Sequence, residues 1–227
     1  MIGYADAGTL YVFRGSTSFP SQMADWQQVT VMPNVHSPSL ALVGRHLNIA
    51  SFKPGTPARL HFTRALNEAP AGPLDFFGYE VTETIGSAYS PSICSVNGLP
   101  CIAHDSDANS AVEFVFPADS VPDNAGEWAW HSVYTDSSDR SNPRLSLLDG
   151  RPAVIFGRFG MHFAWSSAAA PAAAGDWVVT TDINGEVNFN PYPPSIVVID
   201  GLPIVTYTMY DAPNSKRHVY IAVASEQ

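Results

Sequence analysis

The chain has 227 residues, of which 45% are hydrophobic and only 14% are charged. The hydrophobic share suffices for a folded core and excludes wholesale disorder. Acidic residues outnumber basic ones by 21 to 11, and this balance disfavours a nucleic-acid partner, whose phosphates need a basic surface. No apolar run is long enough to cross a membrane, and the first residues lack the pattern of a signal peptide. The compartment stays open, with an extracellular or surface location favoured.

One segment recurs four times without gaps along the chain. Each copy has two short apolar runs around a two-residue turn, and we name these runs strands A and B. Three of the turns are Asn-Gly or Asp-Gly, which tolerate the positive φ of a type I′ turn, whereas Gly44-Arg45 fits type II′. The copies begin at Pro38, Pro91, Pro143 and Pro194, with spacings of 53, 52 and 51 residues.

Two further anchors follow each hairpin. Strand C begins at Leu10, Leu60, Val112, Met161 and Val219. Strand D opens with an acid and an aromatic residue, at Asp25-Trp26, Asp75-Phe76, Glu127-Trp128 and Asp176-Trp177. Each aromatic lies 16 residues after the start of its strand C. Four short antiparallel strands in about 50 residues are typical of a β-propeller blade.

The sequence therefore predicts an all-β fold, a single β-propeller domain of about five blades over residues 1–227. Its repeats span about 1–36, 37–89, 90–141, 142–192 and 193–227. The first repeat lacks strand A and the last lacks strand D, so the count is 18 strands. A β-sandwich with accidental internal similarity is the alternative. We expect the ring to close by side-chain packing between the first and last blades, or through another chain that supplies the missing edges.

The repeat pattern P-S-x-x-x-x-x-G-x-P-x-I-x-Y, followed by L-x-Y or L-x-F and then G-[D/E]-W, resembles bacterial β-propeller repeats related to the sialidase superfamily. The resemblance covers nearly the whole chain and implies the scaffold. The Asp boxes of sialidases read S-x-D-x-G-x-T-W, and Gly126-Glu127-Trp128 and Gly175-Asp176-Trp177 keep only the Gly and the Trp. The chain is too short for six blades, and its arginines do not match the sialidase triad. The resemblance therefore implies no activity.

The lengths of the connections indicate which face carries function. The A–B turns and the C-to-D spacing are constant, whereas the B–C and D–A connections vary in length. In an up-and-down blade the variable connections share one face, here named the loop face, and the others share the opposite turn face. Binding groups tend to lie on variable loops of a rigid scaffold. The candidate ligand-binding residues on the loop face are Asp107, Arg158, Tyr192, Tyr210 and Asp211.

The mixture of carboxylates, a guanidinium and phenols suits sugar hydroxyls. The leading hypothesis is therefore a non-catalytic, lectin-like propeller that binds a carbohydrate or another polar ligand through the loop face. The sequence contains no familiar catalytic motif, so we assign no catalytic residue and favour a protein that is not an enzyme. One alternative is a structural protein, a homo-oligomer whose incomplete blades pair between chains. Another is a glycoside hydrolase that uses Asp107 and Asp211 from two B–C loops.

No cofactor and no metal site is predicted. The segment that begins at Asp105 has the oxygen spacing of a calcium loop, but Ser110 and Phe116 stand where that loop needs Gly and Glu. His61 and His162 share one position of strand C, where we expect partly buried histidines with backbone partners.

The tryptophans of strand D and the two cysteines are expected to be structural. Trp26, Trp128 and Trp177 should pack between blades, and the acids before them should accept hydrogen bonds within the C–D loops. Cys94 and Cys101 should face each other across strands A and B at a hydrogen-bonded pair. We expect free thiols there, because the side chains diverge at such a pair.

Overall fold

The computed structural model describes residues 1–17, 20–55, 58–81, 90–106, 109–135, 142–157, 160–181, 183, 194–211 and 216–224, with the backbone alone for 209–211. These residues form five small antiparallel sheets, with 18 strands and four one-turn 3-10 helices. The sheets are arranged as a five-bladed β-propeller, which confirms the predicted fold class. No helix in the described part of the chain could cross a membrane.

Each sheet is one blade, and the first and last have three strands among the described residues. Blade 1 contains β1 (Ile2–Asp6), β2 (Thr9–Gly15) and β3 (Trp26–Met32). Blade 2 contains β4 (His36–Val43), β5 (His46–Lys53), β6 (Arg59–Ala65) and β7 (Phe76–Glu80). Blade 3 contains β8 (Ser92–Val96), β9 (Leu99–Ser106), β10 (Ala111–Pro117) and β11 (Trp128–Thr135). Blade 4 contains β12 (Arg144–Leu148), β13 (Arg151–Phe156), β14 (His162–Ser166) and β15 (Trp177–Thr180), and blade 5 contains β16 (Ser195–Ile199), β17 (Leu202–Asp211) and β18 (Lys216–Val223).

The first strand of each blade lies at the centre of the ring. β4, β8, β12 and β16 are strands A, and successive ones contact each other around the axis. In blade 1 this place belongs to β1, a strand B, which contacts β4. Within the described residues, the first and last blades make no contact of comparable extent. Among the described residues blade 1 has no strand A and blade 5 has no strand D, as expected.

The two-residue A–B turns are confirmed in all four copies. The residues that flank them are paired, as in Val96 with Leu99 and Val43 with His46. Asn97, Asp149 and Asp200 each have positive φ, and so does the glycine that follows each of them, as a type I′ turn requires. Cys94 and Cys101 are opposite each other in the register of β8 and β9, and both are free cysteines.

Each complete blade packs on the preceding one through the aromatic residue that opens strand D. Trp128 of blade 3 lies edge-on to Phe62 of blade 2, with 5.1 Å between ring centroids, and its indole N–H donates to the Tyr79 hydroxyl. Trp177 of blade 4 repeats this contact on Phe114 of blade 3 at 5.3 Å. Both tryptophans are buried, which confirms the predicted packing between blades. Trp26 of blade 1 is half-buried.

The acids before these aromatics hold the C–D loops, as expected. Asp176 Oδ2 accepts hydrogen bonds from the backbone N–H groups of Ala172 and Ala173, at 2.8 and 3.1 Å. Asp25 and Asp75 accept equivalent bonds in their own loops. These backbone donors lower the pKa of all three carboxyl groups below the ordinary value of 3.8.

In blades 2 and 3, the serine that follows the first proline of the repeat ties neighbouring inner strands together. The hydroxyl of Ser39 in blade 2 accepts a hydrogen bond from Ile93 N in blade 3 at 3.1 Å. The hydroxyl of Ser92 in blade 3 accepts one from Leu145 N in blade 4 at 2.9 Å. We name this repeated contact the serine clamp. It satisfies a backbone donor at the crowded axis that would otherwise be buried without a partner.

The outer face of blade 5 is apolar and exposed. Side chains that point away from blade 4 include Val197, Ile199, Val219, Ile221 and Val223, and each is more than 49% exposed. An apolar cavity of about 260 Å³ also lies beside Phe163 of blade 4. By the spacing of the repeat, this cavity lies where a strand-D aromatic of blade 5 would pack.

Loss of the serine clamp should destabilise the propeller. Ser92→Ala leaves the buried N–H of Leu145 without its acceptor, and we expect the free energy of unfolding to fall by about 1–3 kcal/mol. Urea unfolding followed by tryptophan fluorescence measures the change. Ser95→Ala in the same strand is the control and should be within about 0.5 kcal/mol of wild type. Equal losses in both variants would show that the clamp contributes nothing specific.

The carboxylate of Asp176 should make stability depend on pH. A folded-state pKa below 3.8 means that the ionised group stabilises the fold above that pH, and the contribution disappears as the pH falls through the folded-state pKa. Asp176→Asn should therefore melt at a lower temperature than wild type at pH 7, and the two melting temperatures should converge below about pH 3.8. Asp149→Asn, at a turn where blade 3 has Asn97, is the control. A wild-type advantage that persists unchanged at pH 2.5 would contradict the assignment.

Candidate functional site

A cavity of about 320 Å³ lies at the loop-face end of the central axis. The residues that line it stand where the D–A connections enter the inner strands of blades 2, 3 and 4. They are Ser37, Pro38, Ser39, Ser90, Pro91 and Arg144. The volume is at the small end of the range for ligand pockets, about 300–1,000 Å³. The cavity is therefore large enough for a small polar group and opens on the face that carries the variable loops.

The rim of this cavity has an unusual backbone. Ser37, Ser90 and Asn142 have φ values of 49°, 56° and 56°, and each directly precedes the proline that begins a repeat. Left-handed conformations are uncommon for residues other than glycine and cost about 1–3 kcal/mol each. Such strain persists only where the surrounding structure enforces it, and it is concentrated at functional sites. Its recurrence in three blades marks the axial rim.

Arg144 is the charged residue of the cavity wall. It stands in blade 4 at the position that Ser39 and Ser92 occupy in the preceding blades, so it cannot form the serine clamp. Its Nη1 donates to the carbonyl oxygens of Pro143 and Ser90, at 3.0 and 3.4 Å. Burial lowers the pKa of the guanidinium. No carboxylate among the described residues lies within ion-pair distance of Arg144.

Blade 3 has a buried polar cluster beneath its B–C loop. His104 is fully buried, and its Nε2 lies 3.3 Å from Oε2 of Glu113. Asn109 Nδ2 donates to the other oxygen of Glu113 at 2.5 Å. Burial raises the pKa of Glu113, the adjacent His104 and the Asn109 amide lower it, and the net shift is downward. Glu113 is therefore an ionised carboxylate that holds the side chain of Asn109.

Blade 2 has an exposed ionic cluster at the same face. Glu80, at the end of the outermost strand β7, pairs with Lys53 at 2.8 Å and with Arg59. Hydrogen bonds from both cations lower the pKa of Glu80. This carboxylate is neutralised on both oxygens and lies far from the axis, so we exclude it as a catalytic acid.

The histidines of strand C are structural. His61 is buried, and its Nδ1 lies 3.2 Å from the Thr63 hydroxyl. This corrects the expectation of a backbone partner. Burial and the nearby Lys53 charge lower the pKa of His61 to about 4. His162 is stacked against Tyr134 of blade 3 and Phe156 of its own blade.

The B–C loop of blade 4 begins directly after this aromatic stack. Gly157, the first residue after β13, has φ of 147°. A Cβ on Gly157 would lie 1.9 Å from the carbonyl oxygen of Gly160, so the backbone path demands glycine.

The structure describes only some of the predicted ligand-binding residues. Asp107, Arg158 and Tyr192 lie outside the described residues. Tyr210 and Asp211 are the last residues of β17, and their backbones pair with Arg217 and Lys216 at the loop-face end of blade 5. Their role in ligand binding stays a prediction.

Metal-binding groups are not brought together in the described part of the chain. No cluster of three or more His, Cys, Asp or Glu side chains is found there. Asp105, the first residue of the calcium-like segment, is a buried residue of β9, and Asp107 lies outside the described residues.

Sequence reasoning missed Arg144. The signal was present, because three of the four repeats read Pro-Ser at their start and the third reads Pro143-Arg144. The role of the serine was hidden, since it depends on the neighbouring blade. Without the clamp, the departure from the repeat looked like ordinary variation.

Comparisons with known proteins show a fold. No protein-family model matches the sequence, and no curated protein matches it. The endo-arabinase of Bacteroides thetaiotaomicron superposes with a TM-score of 0.57 at 13% identity, covering 99% of this chain and 89% of that one. An α-L-arabinofuranosidase of Lactobacillus brevis superposes with a TM-score of 0.56 at 12% identity, covering 97% and 88%.

The catalytic domain of a GH62 α-L-arabinofuranosidase from Coprinopsis cinerea is also similar, with a TM-score of 0.53 at 12% identity. The match covers 84% of this chain and 64% of the fungal chain, so this chain spans less than two thirds of that domain. At these identities the likeness shows the fold alone.

These comparisons correct the leading functional hypothesis. The similar solved propellers are glycoside hydrolases, and this finding favours the hydrolase alternative over a non-catalytic lectin. The lectin-like prediction rested on the lack of a catalytic motif. That reasoning fails in a propeller, because paired carboxylates from different blades leave no local sequence pattern. The comparisons also provide no sequence evidence for a sialidase relation.

Proposed function

We propose that this protein is a glycoside hydrolase whose active site lies on the loop face of the propeller. The observation that carries the proposal is the axial cavity, which opens on the face to which strands B deliver their carboxylates. The hydrolase propellers described above support it, since the same scaffold in those proteins serves glycosidic bond cleavage.

Asp107 and Asp211 are the proposed catalytic pair. Asp107 directly follows β9 in the sequence and Asp211 is the last residue of β17, and the proposal is that both act on the loop face. One protonated carboxyl would donate to the leaving oxygen, while the other ionised carboxylate attacks the sugar or activates water. A separation of about 5–5.5 Å would predict a retaining reaction, and one of about 6.5–9.5 Å an inverting reaction.

The buried cluster of blade 3 supports this assignment. Asn109 lies two residues after Asp107, and its side-chain amide is held by the ionised Glu113. Asn109 N also donates to the Ser106 hydroxyl at 3.3 Å, which closes the loop from its other side. A carboxylate between two such anchors would be held in place at little cost when a substrate binds.

The proposed substrate class is a plant-type polysaccharide of arabinose or xylose. Two of the structural neighbours are α-L-arabinofuranosidases and one is an endo-arabinase. The axial cavity is small, which suits cleavage of one sugar unit from a chain end or branch.

Replacement of the proposed carboxylates should abolish hydrolysis without unfolding the protein. We expect Asp107→Asn and Asp211→Asn each to lower kcat at least about 100-fold, because each removes one catalytic proton transfer or nucleophile. Release of 4-nitrophenol from its α-L-arabinofuranoside and β-D-xyloside, and of reducing sugar from arabinan and arabinoxylan, measures the activity. The control is Asp200→Asn, on the turn face of the same blade as Asp211, and it should retain wild-type activity.

Two outcomes would overturn the proposal. Wild-type protein that cleaves none of these four substrates would contradict the proposed hydrolase for this substrate class. Activity that survives in both Asp107→Asn and Asp211→Asn would refute the catalytic pair. Melting temperatures of all variants establish that a loss of activity is not a loss of fold.

Two further predictions, the relation to sialidase repeats and the pairing between copies of the chain, are separate from the hydrolase proposal. A relation to sialidase repeats rests on the repeat pattern alone. Pairing between copies of the chain is supported by the exposed apolar face of blade 5, where Val219 is 73% and Ile221 is 68% exposed. Burial of such a face is favourable by about 25 cal/mol per Å² of apolar surface.

If blade 5 is an interface between copies, the mass in solution should depend on concentration. Light scattering from 1 to 100 μM should show a dimer or larger species for wild type. Ile221→Lys places a charge on the exposed face and should give the monomer mass. Arg217→Ser, in the same strand, is the control. A monomer mass for wild type throughout would rule out this assembly.

A further inference from the structure

At position 144, near the axis, the third repeat has an arginine where the other repeats have a serine. Ser39 and Ser92 form the serine clamp to the next blade, and an arginine side chain has no acceptor with which to do so. The backbone N–H of Ile196 in blade 5, which corresponds to that of Leu145, therefore has no clamp from residue 144. At this position the chain has a positive charge in the cavity wall instead of the serine hydroxyl.

Among the described residues, the charge of Arg144 is compensated only in part. The two carbonyl oxygens that it contacts both accept from Nη1. No acceptor among the described residues is found for Nε or Nη2, and no carboxylate pairs with the guanidinium. Arg144 is half-buried and the described residues offer it no anion, and such cations are concentrated where a ligand supplies the counter-charge.

The chemistry of the cavity defines the missing partner. A guanidinium presents two parallel N–H donors, which match the two oxygens of a carboxylate. Around Arg144 the cavity offers the hydroxyl-bearing residues Ser37, Ser39 and Ser90, which suit the hydroxyl groups of a sugar. Prolines close two sides of the cavity. One group that combines a planar carboxylate with several hydroxyls is a hexuronic acid.

We propose that the axial cavity binds a uronic acid unit of the polysaccharide, with its carboxylate on Arg144. That the uronate belongs to the substrate rests on the proposed hydrolase function. Binding of the uronate itself can be measured without any hydrolysis. The uronate then selects which glycans enter the site, and Arg144 acts as a specificity residue that takes no part in bond cleavage.

Binding of monosaccharides by the intact protein tests the proposal. Ligand-observed NMR titrations would compare D-glucuronate and D-galacturonate with the neutral sugars D-glucose and D-galactose at pH 7. Wild type should bind at least one uronate at least about tenfold more tightly than its neutral parent, because a charge-assisted bidentate contact is worth at least that ratio. The preference should weaken with added salt.

Arg144→Ser removes the charge and restores the residue of the other repeats. It should abolish the preference for the uronate and leave the binding of neutral sugars unchanged. The introduced hydroxyl is placed to accept from Ile196 N, so the variant should melt at or above the wild-type temperature. Arg151→Ser, at an exposed position on the turn face of the same blade, is the matched control and should keep the preference.

Three results would overturn the inference. Wild type that binds neither uronate more tightly than its neutral parent would refute it without any variant. A preference that survives in folded Arg144→Ser would remove Arg144 from the site. Tighter binding of D-galactose 6-sulfate than of D-galacturonate would replace the carboxylate by a sulfate. If wild type lacks the uronate preference but still hydrolyses neutral arabinan, the hydrolase proposal stands while this inference fails.

Discussion

The contact between one blade and the next is the interaction on which the rest of the molecule depends. A single blade cannot bury both of its faces, so each must cover its neighbour. Trp128 on Phe62 and Trp177 on Phe114 provide this cover at the outer strands. The serine clamps provide it at the axis. Because the same contacts recur, the spacing between their partners is fixed, and only the loop face is free to vary.

That division explains why a departure from the repeat at the axis is informative. The turn face is built from two-residue turns and from C–D loops that Asp25, Asp75 and Asp176 hold through backbone hydrogen bonds. Substitutions on the turn face should therefore affect the stability of the fold. The loop-face end of the axis differs. Ser37 and Ser90 have strained backbones there, and Arg144 cannot form the serine clamp, so the needs of folding do not explain these residues. The proposed ligand in the cavity of about 320 Å³ would account for both the strain and the charge.

The repeat made most of the fold predictable. Turn chemistry at Asn97-Gly98 and the constant 16-residue spacing to Trp128 depend on local sequence, and both led to correct elements. The partner of Ser92 could not be read, because Leu145 is 53 residues away and the bond crosses between blades. The same limit hid Arg144. It also explains the wrong lectin-like prediction, since catalytic carboxylates on separate blades resemble ordinary polar loop residues one by one.

The central claim is that the loop-face end of the axis is where a sugar binds. A crystal structure of the protein grown with D-galacturonate tests it most directly. Our account predicts the sugar in the axial cavity, its carboxylate against the guanidinium of Arg144 and its ring directed towards the loops that carry Asp107 and Asp211. A sugar bound instead on the turn face, for example in the cavity of about 290 Å³ beside Arg64, would contradict it.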